Sequence, residues 1–243
     1  MSIVVGKDTR VLVQGITGGA GSFHAKQMIE YGTNVVAGVT PTRGGETFEH
    51  AASVGTVKVP VFDTVAQAVK KTGANASVIF VPPPGAADAI LEAFDAGLEL
   101  VVCITEGIPV TDMIKVKRDL CGSKSRLIGP NCLGLVDAFT PLNVTFAAGT
   151  PPKGPIAFMS QSGALGTAIL DWSMAGSRIG FSKFVSLGNK ADVSEIDLMQ
   201  AWAEDPQSKV ILAYSEGLPN GQEFMRVARE VSRKKPIVIV KSG

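Results

Sequence analysis

The sequence is poor in histidine, cysteine and net charge. It contains two histidines, His24 and His50, three cysteines and a formal net charge of +1 over 243 residues. Without a basic patch or stripe, no nucleic acid is expected as a partner. The three cysteines do not have the spacing of a metal site. Their odd number is unsuited to a disulfide framework and is compatible with a reducing cytosol. With so few histidines, no metal site is predicted.

Long apolar runs are also missing. No segment approaches the roughly 18 to 20 uninterrupted apolar residues that a membrane span requires. Lys7, Asp8 and Arg10 precede any long apolar stretch, unlike a secretory signal. No membrane contact is therefore expected, and the predicted location is the cytoplasm, or the mitochondrial matrix in a eukaryote. The composition, 45% hydrophobic and 19% charged, is typical of a compact globular protein.

Short β-branched runs alternate with helical periodicities over residues 1–139. The predicted strands are Arg10–Gln14, Asn34–Val39, Val57–Val61, Ser77–Val81, Leu98–Thr105 and Arg126–Gly129. The predicted helices are Phe23–Tyr31, Val65–Thr72, Ala86–Ala96 and Asp112–Asp119. Nearly uninterrupted apolar strands between helices predict an α/β fold, a doubly wound parallel sheet of Rossmann-like type. Its ligand is expected beyond the carboxyl ends of the strands.

A second alternation follows a predicted linker at residues 140–154, which is rich in turn residues. Over residues 155–243 the strands would be Ile156–Ser160, Phe181–Ser186, Lys209–Ser215 and Pro236–Lys241. The helices would be Ala164–Met174, Glu195–Glu204 and Gln222–Ser232. This pattern predicts a flavodoxin-like doubly wound domain. Because it is small and stops after a strand, we expect it to be incomplete at its C-terminal end.

A glycine-rich stretch, GITGGAG, joins the first strand to the first helix. Gly15 ends the strand, and Gly18, Gly19 and Gly21 permit close backbone approach to a ligand. The free N–H groups of the following helix favour an anion, so the stretch predicts a phosphate site, with a mere tight turn as the alternative.

The end of the second strand distinguishes among phosphate-bearing ligands. An NAD site normally carries Asp or Glu there, whereas this sequence has Arg43 and no acid before Glu46. That favours a ligand with an extra phosphate near the adenosine ribose, such as NADP or coenzyme A (CoA). A solvated loop charge is the alternative for Arg43.

Further polar groups follow other strands. In the first domain, VPPPGAA contains Pro82, CITEGIP contains Thr105 and Glu106, and GPNC ends at Cys132. In the second domain, MSQSGALG reads as strand, small polar turn and helix, so amides near the predicted phosphate-binding residues would face an anion: Ser162, Gly163 and Ala164. Simple helix capping is the alternative there. Glu216 follows a later strand and would face the same anion site, with an ordinary loop acid as the alternative.

Seven motifs in order resemble the α subunit of succinyl-CoA synthetase and related NDP-forming acyl-CoA synthetases. They are QGITGGAGSFHAKQ, YGTNVVAGVTPTRGG, PVFDTVAQAV, ITEGIP, GPNCLG, SQSGALG and SEGLPNGQEF. The first 120 or so residues resemble the succinate-type enzymes more, and the remainder resembles the ADP-forming acetyl-CoA type. The resemblance leaves the acyl group, and ADP against GDP, open.

The resemblance implies that CoA binds the first domain, with Gly15 and Pro82 in the surrounding loops. The residues matching its CoA-binding segments are Thr17, Gly18, Gly19, Ala20, Arg43, Ile104, Thr105, Glu106, Asn131 and Cys132. The SQSGALG turn matches a helix N-terminus that holds a phosphohistidine, and Glu216 matches the acid that orients this histidine. Family chemistry converts acyl-CoA, phosphate and a nucleoside diphosphate into a small carboxylic acid, CoA and a nucleoside triphosphate.

One departure bears on mechanism. In the family the phosphorylated histidine lies beyond the strand that matches PIVIVKSG, and neither His24 nor His50 matches its position. The isolated chain is therefore expected to bind CoA but not to complete ligation. A β subunit or fused ATP-grasp domain would supply the Mg-nucleotide site. The alternatives are a non-catalytic CoA-binding or regulatory module and an NADP-dependent oxidoreductase.

Overall fold

A computed structural model of the chain describes residues 6–53, 55–176 and 179–242, which form two sheets flanked by helices. The strands are β1 Val11–Gln14, β2 Val35–Val39, β3 Thr47–Ala52, β4 Gly55–Phe62, β5 Ala76–Ile79, β6 Leu100–Cys103, β7 Arg126–Ile128, β8 Gly134–Asp137, β9 Leu142–Thr145, β10 Lys153–Ser160, β11 Phe181–Ser186, β12 Val210–Ser215 and β13 Ile237–Lys241. The helices are α1 Gly19–Tyr31, α2 Val65–Thr72, α3 Pro83–Asp95, α4 Val110–Leu120, α5 Gly163–Met174, α6 Glu195–Ala203 and α7 Gly221–Ser232. Within the described ranges, no helix combines the length and apolarity needed to cross a membrane.

The first sheet is doubly wound, as predicted. Its order is β3-β4-β2-β1-β5-β6-β7, and all neighbouring strands are parallel except β3 and β4. Successive residues of a strand face opposite sides of the sheet. Leu12 belongs to a core cluster with α2, α3 and α4, whereas Val11 and Val13 belong to another cluster with α1.

A hairpin that the sequence patterns did not predict extends the edge of this sheet. β3 pairs antiparallel with β4, from Thr47 opposite Pro60 to Ala52 opposite Gly55. Along β3, half-buried Phe48, His50 and Ala52 alternate with exposed residues. Since this face has few large apolar side chains, the period-two signal of the strand is weak.

The second sheet has the order β13-β12-β10-β11-β8-β9. The strands from β10 onward are parallel, whereas β8 and β9 form an antiparallel pair against β11. This corrects the prediction of a linker over residues 140–154, because β9 lies inside that range as a buried strand. Its short run, LNVT, lies among turn residues, and its burial comes from pairing with β8 instead of from its own pattern.

A single buried core joins the two sheets. One hydrophobic cluster contains Val13 and Met28 of the first unit, which is the first sheet with its helices. The cluster continues through Ile128 and Leu135 and includes Trp202 on α6 of the second unit, which is built on the second sheet. The second unit therefore packs on the α1 side of the first sheet. Since burial of apolar area is the main stabilising contribution, the two units are held face to face.

Polar contacts fix the same junction. The Arg126 guanidinium at the start of β7 donates to Asp192 Oδ2 at 2.9 Å and to Asp197 Oδ1 at 2.8 Å. Asp192 Oδ2 also accepts from the backbone N–H of Leu127 at 2.9 Å. The Val193 N–H donates to the carbonyl of Leu127. The loop before α6 is thus bonded to β7 through the Asp192 carboxylate and through the backbone N–H of Val193.

Replacing Asp192 with alanine should weaken this junction. Loss of charge-assisted hydrogen bonds at a mostly buried site is expected to lower the free energy of unfolding by about 2 kcal/mol, measured by urea denaturation. The matched control is Asp119→Ala, because Asp119 pairs with Arg118 on the exposed surface of α4. That change should cost less than about 1 kcal/mol. Equal losses in the two variants would contradict the proposed importance of the Asp192 contacts.

Candidate active site

A cleft of about 750 Å³ lies between the two units, at the carboxyl ends of strands from both sheets. It gathers predicted site residues from six separate segments of the chain: Ala20; Pro82; Ile104, Thr105 and Glu106; Asn131 and Cys132; Ser162, Gly163 and Ala164; and Glu216. Ala20 is the described residue of the GITGGAG stretch that lines the cleft, whereas Gly15, Thr17, Gly18, Gly19 and Arg43 lie on the same strand edge outside the lining. A groove of about 950 Å³ along α7 contains no predicted site residue and is bordered by exposed side chains of that helix.

Two glycines shape the turn between β1 and α1. Gly15 has a φ of +83°, and a Cβ there would lie 3.2 Å from the carbonyl oxygen of Phe80. A Cβ on Gly21 would lie 2.1 Å from the carbonyl oxygen of Gly15, so the helix can start this close to the strand only with glycine. Gly18 and Gly19 are exposed, and a Cβ on Gly19 would meet nothing within 4 Å. Gly15 and Gly21 are therefore required by close packing, whereas Gly18 and Gly19 leave the backbone of the turn exposed.

The first helix begins earlier than its apolar pattern predicts. α1 starts at Gly19, its N-cap residue is Gly18, and no side chain caps it. By contrast, Thr64 caps α2 by accepting from the Gln67 N–H. Since no side chain occupies the N-terminus of α1, its first N–H groups are available to an anion.

Arg43 lies on the loop after β2. Thr17 of the glycine loop donates to the Thr40 hydroxyl at 3.1 Å, which ties this loop to the glycine loop. Arg43 forms a two-point ion pair with Glu46, at 2.6 and 2.7 Å, on the exposed surface. The sequence patterns did not indicate that these two charges would pair. Because exposed pairs contribute only about 0–1 kcal/mol, the guanidinium can exchange Glu46 for a ligand phosphate.

The loops after β5, β6 and β7 are bonded to one another. The Thr105 hydroxyl donates to the Val81 carbonyl at 2.6 Å, and the Asn131 N–H donates to the Thr105 carbonyl at 2.9 Å. Asn131 has a φ of +55° and donates from its amide nitrogen to Asn189 of the second unit at 3.3 Å. Thr105 thus connects the loop after β5, through its hydroxyl, with the loop after β7, through its carbonyl.

Cys132 lines the cleft as a buried thiol. It donates to the carbonyl of Cys103 at 3.3 Å. Burial raises the pKa of the Cys132 thiol far above its ordinary value and raises that of Cys103 to about 12. Both thiols therefore stay protonated near pH 7, and only a thiolate is an effective nucleophile.

The second unit presents the N-terminus of α5. Ser162 caps it by accepting from the Leu165 N–H at 3.2 Å, while its own N–H donates to Ser160 Oγ at 3.1 Å. The predicted amide of Ser162 is therefore already bonded. The N–H groups of Gly163 and Ala164 precede the first intrahelical bond, from Gly166 to the Ser162 carbonyl, and both residues line the cleft. Capping by Ser162 therefore leaves these two N–H groups without an intrahelical partner.

Glu216 is held by residues that the sequence patterns did not indicate. Gln161 Oε1 accepts from the N–H groups of Glu216 and Gly217, at 2.5 and 2.9 Å. Lys190 donates to both carboxylate oxygens of buried Glu195 at 3.0 Å and to the Gly217 carbonyl. The one sequence signal for Gln161 is that a polar side chain directly follows the end of β10, and this does not indicate its contact with residues 216 and 217.

The cleft is acidic. Among the described residues that line it, none is Lys, Arg or His, and the charged side chains are Glu106 and Glu216. The described ranges also contain no cluster of three or more His, Cys, Asp or Glu side chains able to hold a metal ion. Attraction for an anion must therefore come from the N-termini of α1 and α5.

Neither histidine lines the cleft in the described structure. His24 is buried beside Phe80 and Phe146, with ring centroids 5.4 and 4.7 Å away, and its Nδ1 has no hydrogen-bond partner. Burial lowers the pKa of His24, so the ring is neutral near pH 7. His50 lies on the hairpin and contacts Glu30 at 2.9 Å.

Comparisons with known proteins agree with this architecture. Residues 6–107 match the CoA binding domain, and residues 153–243 match the succinyl-CoA ligase like flavodoxin domain. The chain is 42% identical over 240 residues to the α subunit of the ADP-forming succinate–CoA ligase of Staphylococcus aureus. That alignment covers 98% of this chain and 76% of the relative.

Solved structures extend the likeness. The dinucleotide-forming acetyl-coenzyme A synthetase 1 of Ca. Korarchaeum cryptofilum has a TM-score of 0.83 and 30% identity, over 97% of this chain and 51% of that one. The ATP citrate lyase of Methanothrix soehngenii has a TM-score of 0.83 at 19% identity, over 99% of this chain and 41% of that one, which shows the shared fold. The chain thus spans about half the length of these structures or less. It belongs to the family of succinyl-CoA ligase α subunits, and it is the CoA-binding, α-type part of an NDP-forming acyl-CoA ligase.

Proposed function

We propose that CoA binds with its phosphates on the glycine loop and its thiol end in the cleft. The observation that carries this proposal is the convergence of predicted residues from six chain segments on one cleft. The exposed backbone of Gly18 and Gly19 and the uncapped start of α1 suit a pyrophosphate. The apolar and amide groups around Asn131 and Cys132 suit the uncharged end of the ligand.

We assign Arg43 to the phosphate on the adenosine ribose. Arg43 lies on the loop after β2, and the hydrogen bond between Thr17 and Thr40 connects this loop to the glycine loop. A guanidinium binds phosphate through two parallel N–H groups, the same geometry that it uses on Glu46.

The reaction we propose is acyl-CoA + phosphate + NDP = acid + CoA + NTP. The amides of Gly163 and Ala164 would hold the phosphoryl group, and Glu216 would accept a hydrogen bond from the histidine that carries it. A β subunit or fused ATP-grasp domain would supply the Mg-nucleotide site. We propose a small carboxylic acid as the substrate and succinate as the first to test, because the relatives in sequence are named succinate–CoA ligases.

In this proposal Cys132 contacts the ligand but is not a nucleophile. Its raised pKa and burial leave too little thiolate to attack a thioester. The group that reacts would be the thiol of CoA itself, next to a neutral cysteine.

Replacing Arg43 with methionine should weaken CoA binding about tenfold at low salt, because a charge-assisted contact is lost. Isothermal titration calorimetry with the full chain measures this. Dephospho-CoA, which lacks the ribose phosphate, should bind the wild type and the variant alike. The matched control, Glu46→Gln, frees the guanidinium and should leave CoA binding equal or tighter. An equal loss for CoA and dephospho-CoA would contradict the assignment, and undetectable CoA binding by the wild type would refute the proposed function.

Alkylation should distinguish the three cysteines. Iodoacetamide near pH 8 is expected to modify exposed Cys121 in the folded chain and to leave Cys103 and Cys132 unmodified, because those two are buried and protonated. Peptide mass spectrometry gives the site, and urea-unfolded chain, modified at every cysteine, is the control. Modification of Cys132 as fast as that of Cys121 would show a reactive thiol and overturn the neutral role.

Neither histidine of the chain should become phosphorylated. His24 is enclosed by aromatic rings and His50 lies on the hairpin, so neither is placed to receive a phosphoryl group in the cleft. Incubation with succinyl-CoA and phosphate, or with Mg-ATP, followed by phosphohistidine mass spectrometry, is expected to give no signal at either residue. Phosphate on His24 or His50 would require a different transfer route.

A further inference from the structure

We propose that Gln161, supported by Lys190, is a positioning residue for Glu216. Together they hold the Ser215–Gly217 segment so that the Glu216 carboxylate stays in the cleft beside the N-terminus of α5. The effect on ligation rests on the proposed function, whereas the effect on the backbone of this segment does not.

Gln161 acts through one atom. Its Oε1 accepts from the N–H of Glu216, from the N–H of Gly217, and lies 3.0 Å from the Ser215 hydroxyl. A carbonyl oxygen has two lone pairs, so these donors saturate it. The oxygen is therefore committed to the backbone of the segment and is not a ligand contact.

The Gln161 backbone strengthens the link. Its N–H donates to the Tyr214 carbonyl at 3.1 Å, in continuation of the β10–β12 pairing. The next residue, Ser162, caps α5. One residue therefore joins the anion-binding turn to the acid-bearing segment, and neither can shift without the other.

Lys190 supports the segment from the opposite side. Its ammonium bonds both oxygens of Glu195 and the Gly217 carbonyl, and Glu195 Oε1 accepts from the Ser215 hydroxyl at 2.8 Å. The Lys190 and Glu195 side chains are only 7% and 2% exposed. Lys190 also has a φ of +53°, a backbone conformation that is unfavourable for a residue with a side chain. A buried pair held at a strained position indicates a specific geometric requirement.

This support is needed because Glu216 itself is exposed. Its neighbour Gly217 is also exposed and has no side chain to restrict the backbone. Without Gln161, the two N–H groups would bond water and the segment would sample many conformations. A carboxylate that orients an imidazole N–H must be held within about 0.5 Å, and the network fixes the backbone from which the Glu216 carboxylate projects.

The test compares Gln161→Met with Gln161→Glu in the full chain and, for catalysis, in its assembly with a β-type subunit and with the family segment that carries the phosphorylated histidine. Methionine keeps the shape of glutamine but removes the acceptor, whereas glutamate keeps it. Amide hydrogen exchange at Glu216 and Gly217, followed by NMR, should accelerate about tenfold in the methionine variant and stay near wild type in the glutamate variant. Gln222→Met, on the exposed face of α7, is the matched control and should change nothing.

In the assembly, Gln161→Met is expected to lower kcat for succinyl-CoA formation about tenfold, with the KM for CoA unchanged. Replacing Lys190 and Glu195 together by glutamine removes the ion pair without leaving a lone buried charge, and should give the same pattern.

The outcomes separate the two proposals. Unchanged exchange in Gln161→Met overturns the positioning role, as does faster exchange with a wild-type kcat. An inactive wild-type assembly in which the methionine variant still exchanges faster contradicts the proposed function and leaves the structural role of Gln161 supported.

Discussion

The close contact between one loop of each unit determines the geometry of the cleft. A Cβ on Gly188 would lie 2.2 Å from the carbonyl oxygen of Asn131, and the Asn189 N–H donates to the Pro130 carbonyl at 2.9 Å. Because backbone touches backbone here, the distance between the walls does not depend on side-chain rotamers. Together with the shared hydrophobic cluster and the Arg126–Asp192 contacts, it sets the separation of the two sheets, and the Thr105 segment and the α5 turn line the cleft between them.

The rigidity of the walls follows from how strand ends use their polar groups. Thr105 bonds the loop after β5, and its carbonyl accepts from Asn131 after β7. Helix starts add a different kind of group, because their geometry leaves N–H groups without intrahelical partners. Thr105 and Asn131 thus use polar groups to join the loops, while the first N–H groups of α1 and those of Gly163 and Ala164 have no intrahelical partner.

Sequence reasoning predicted local features well and tertiary ones poorly. The bounds of Val65–Thr72 and Phe181–Ser186 were confirmed, because their patterns and flanking turn residues are self-contained. β3, β8 and β9 were missed, since their burial depends on partner strands more than on their own side chains. The cleft lining followed from strand-end logic, but the pairing of Lys190 with Glu195 and the contact of Gln161 with Gly217 did not. The latter two residues are separated by 56 positions, and no local pattern encodes such a contact.

The charge distribution of the cleft would couple the proposed ligands to one another. Glu106 and Glu216 are the charged side chains among the described lining residues, so a phosphate at the proposed site of Gly163 and Ala164 would experience attraction from a helix terminus and repulsion from carboxylates. An imidazole N–H placed between Glu216 and the phosphate would donate a hydrogen bond and offset that repulsion. The proposed site would therefore hold the anion most strongly when the donor is present. This dependence would require that Glu216 be fixed before either group arrives.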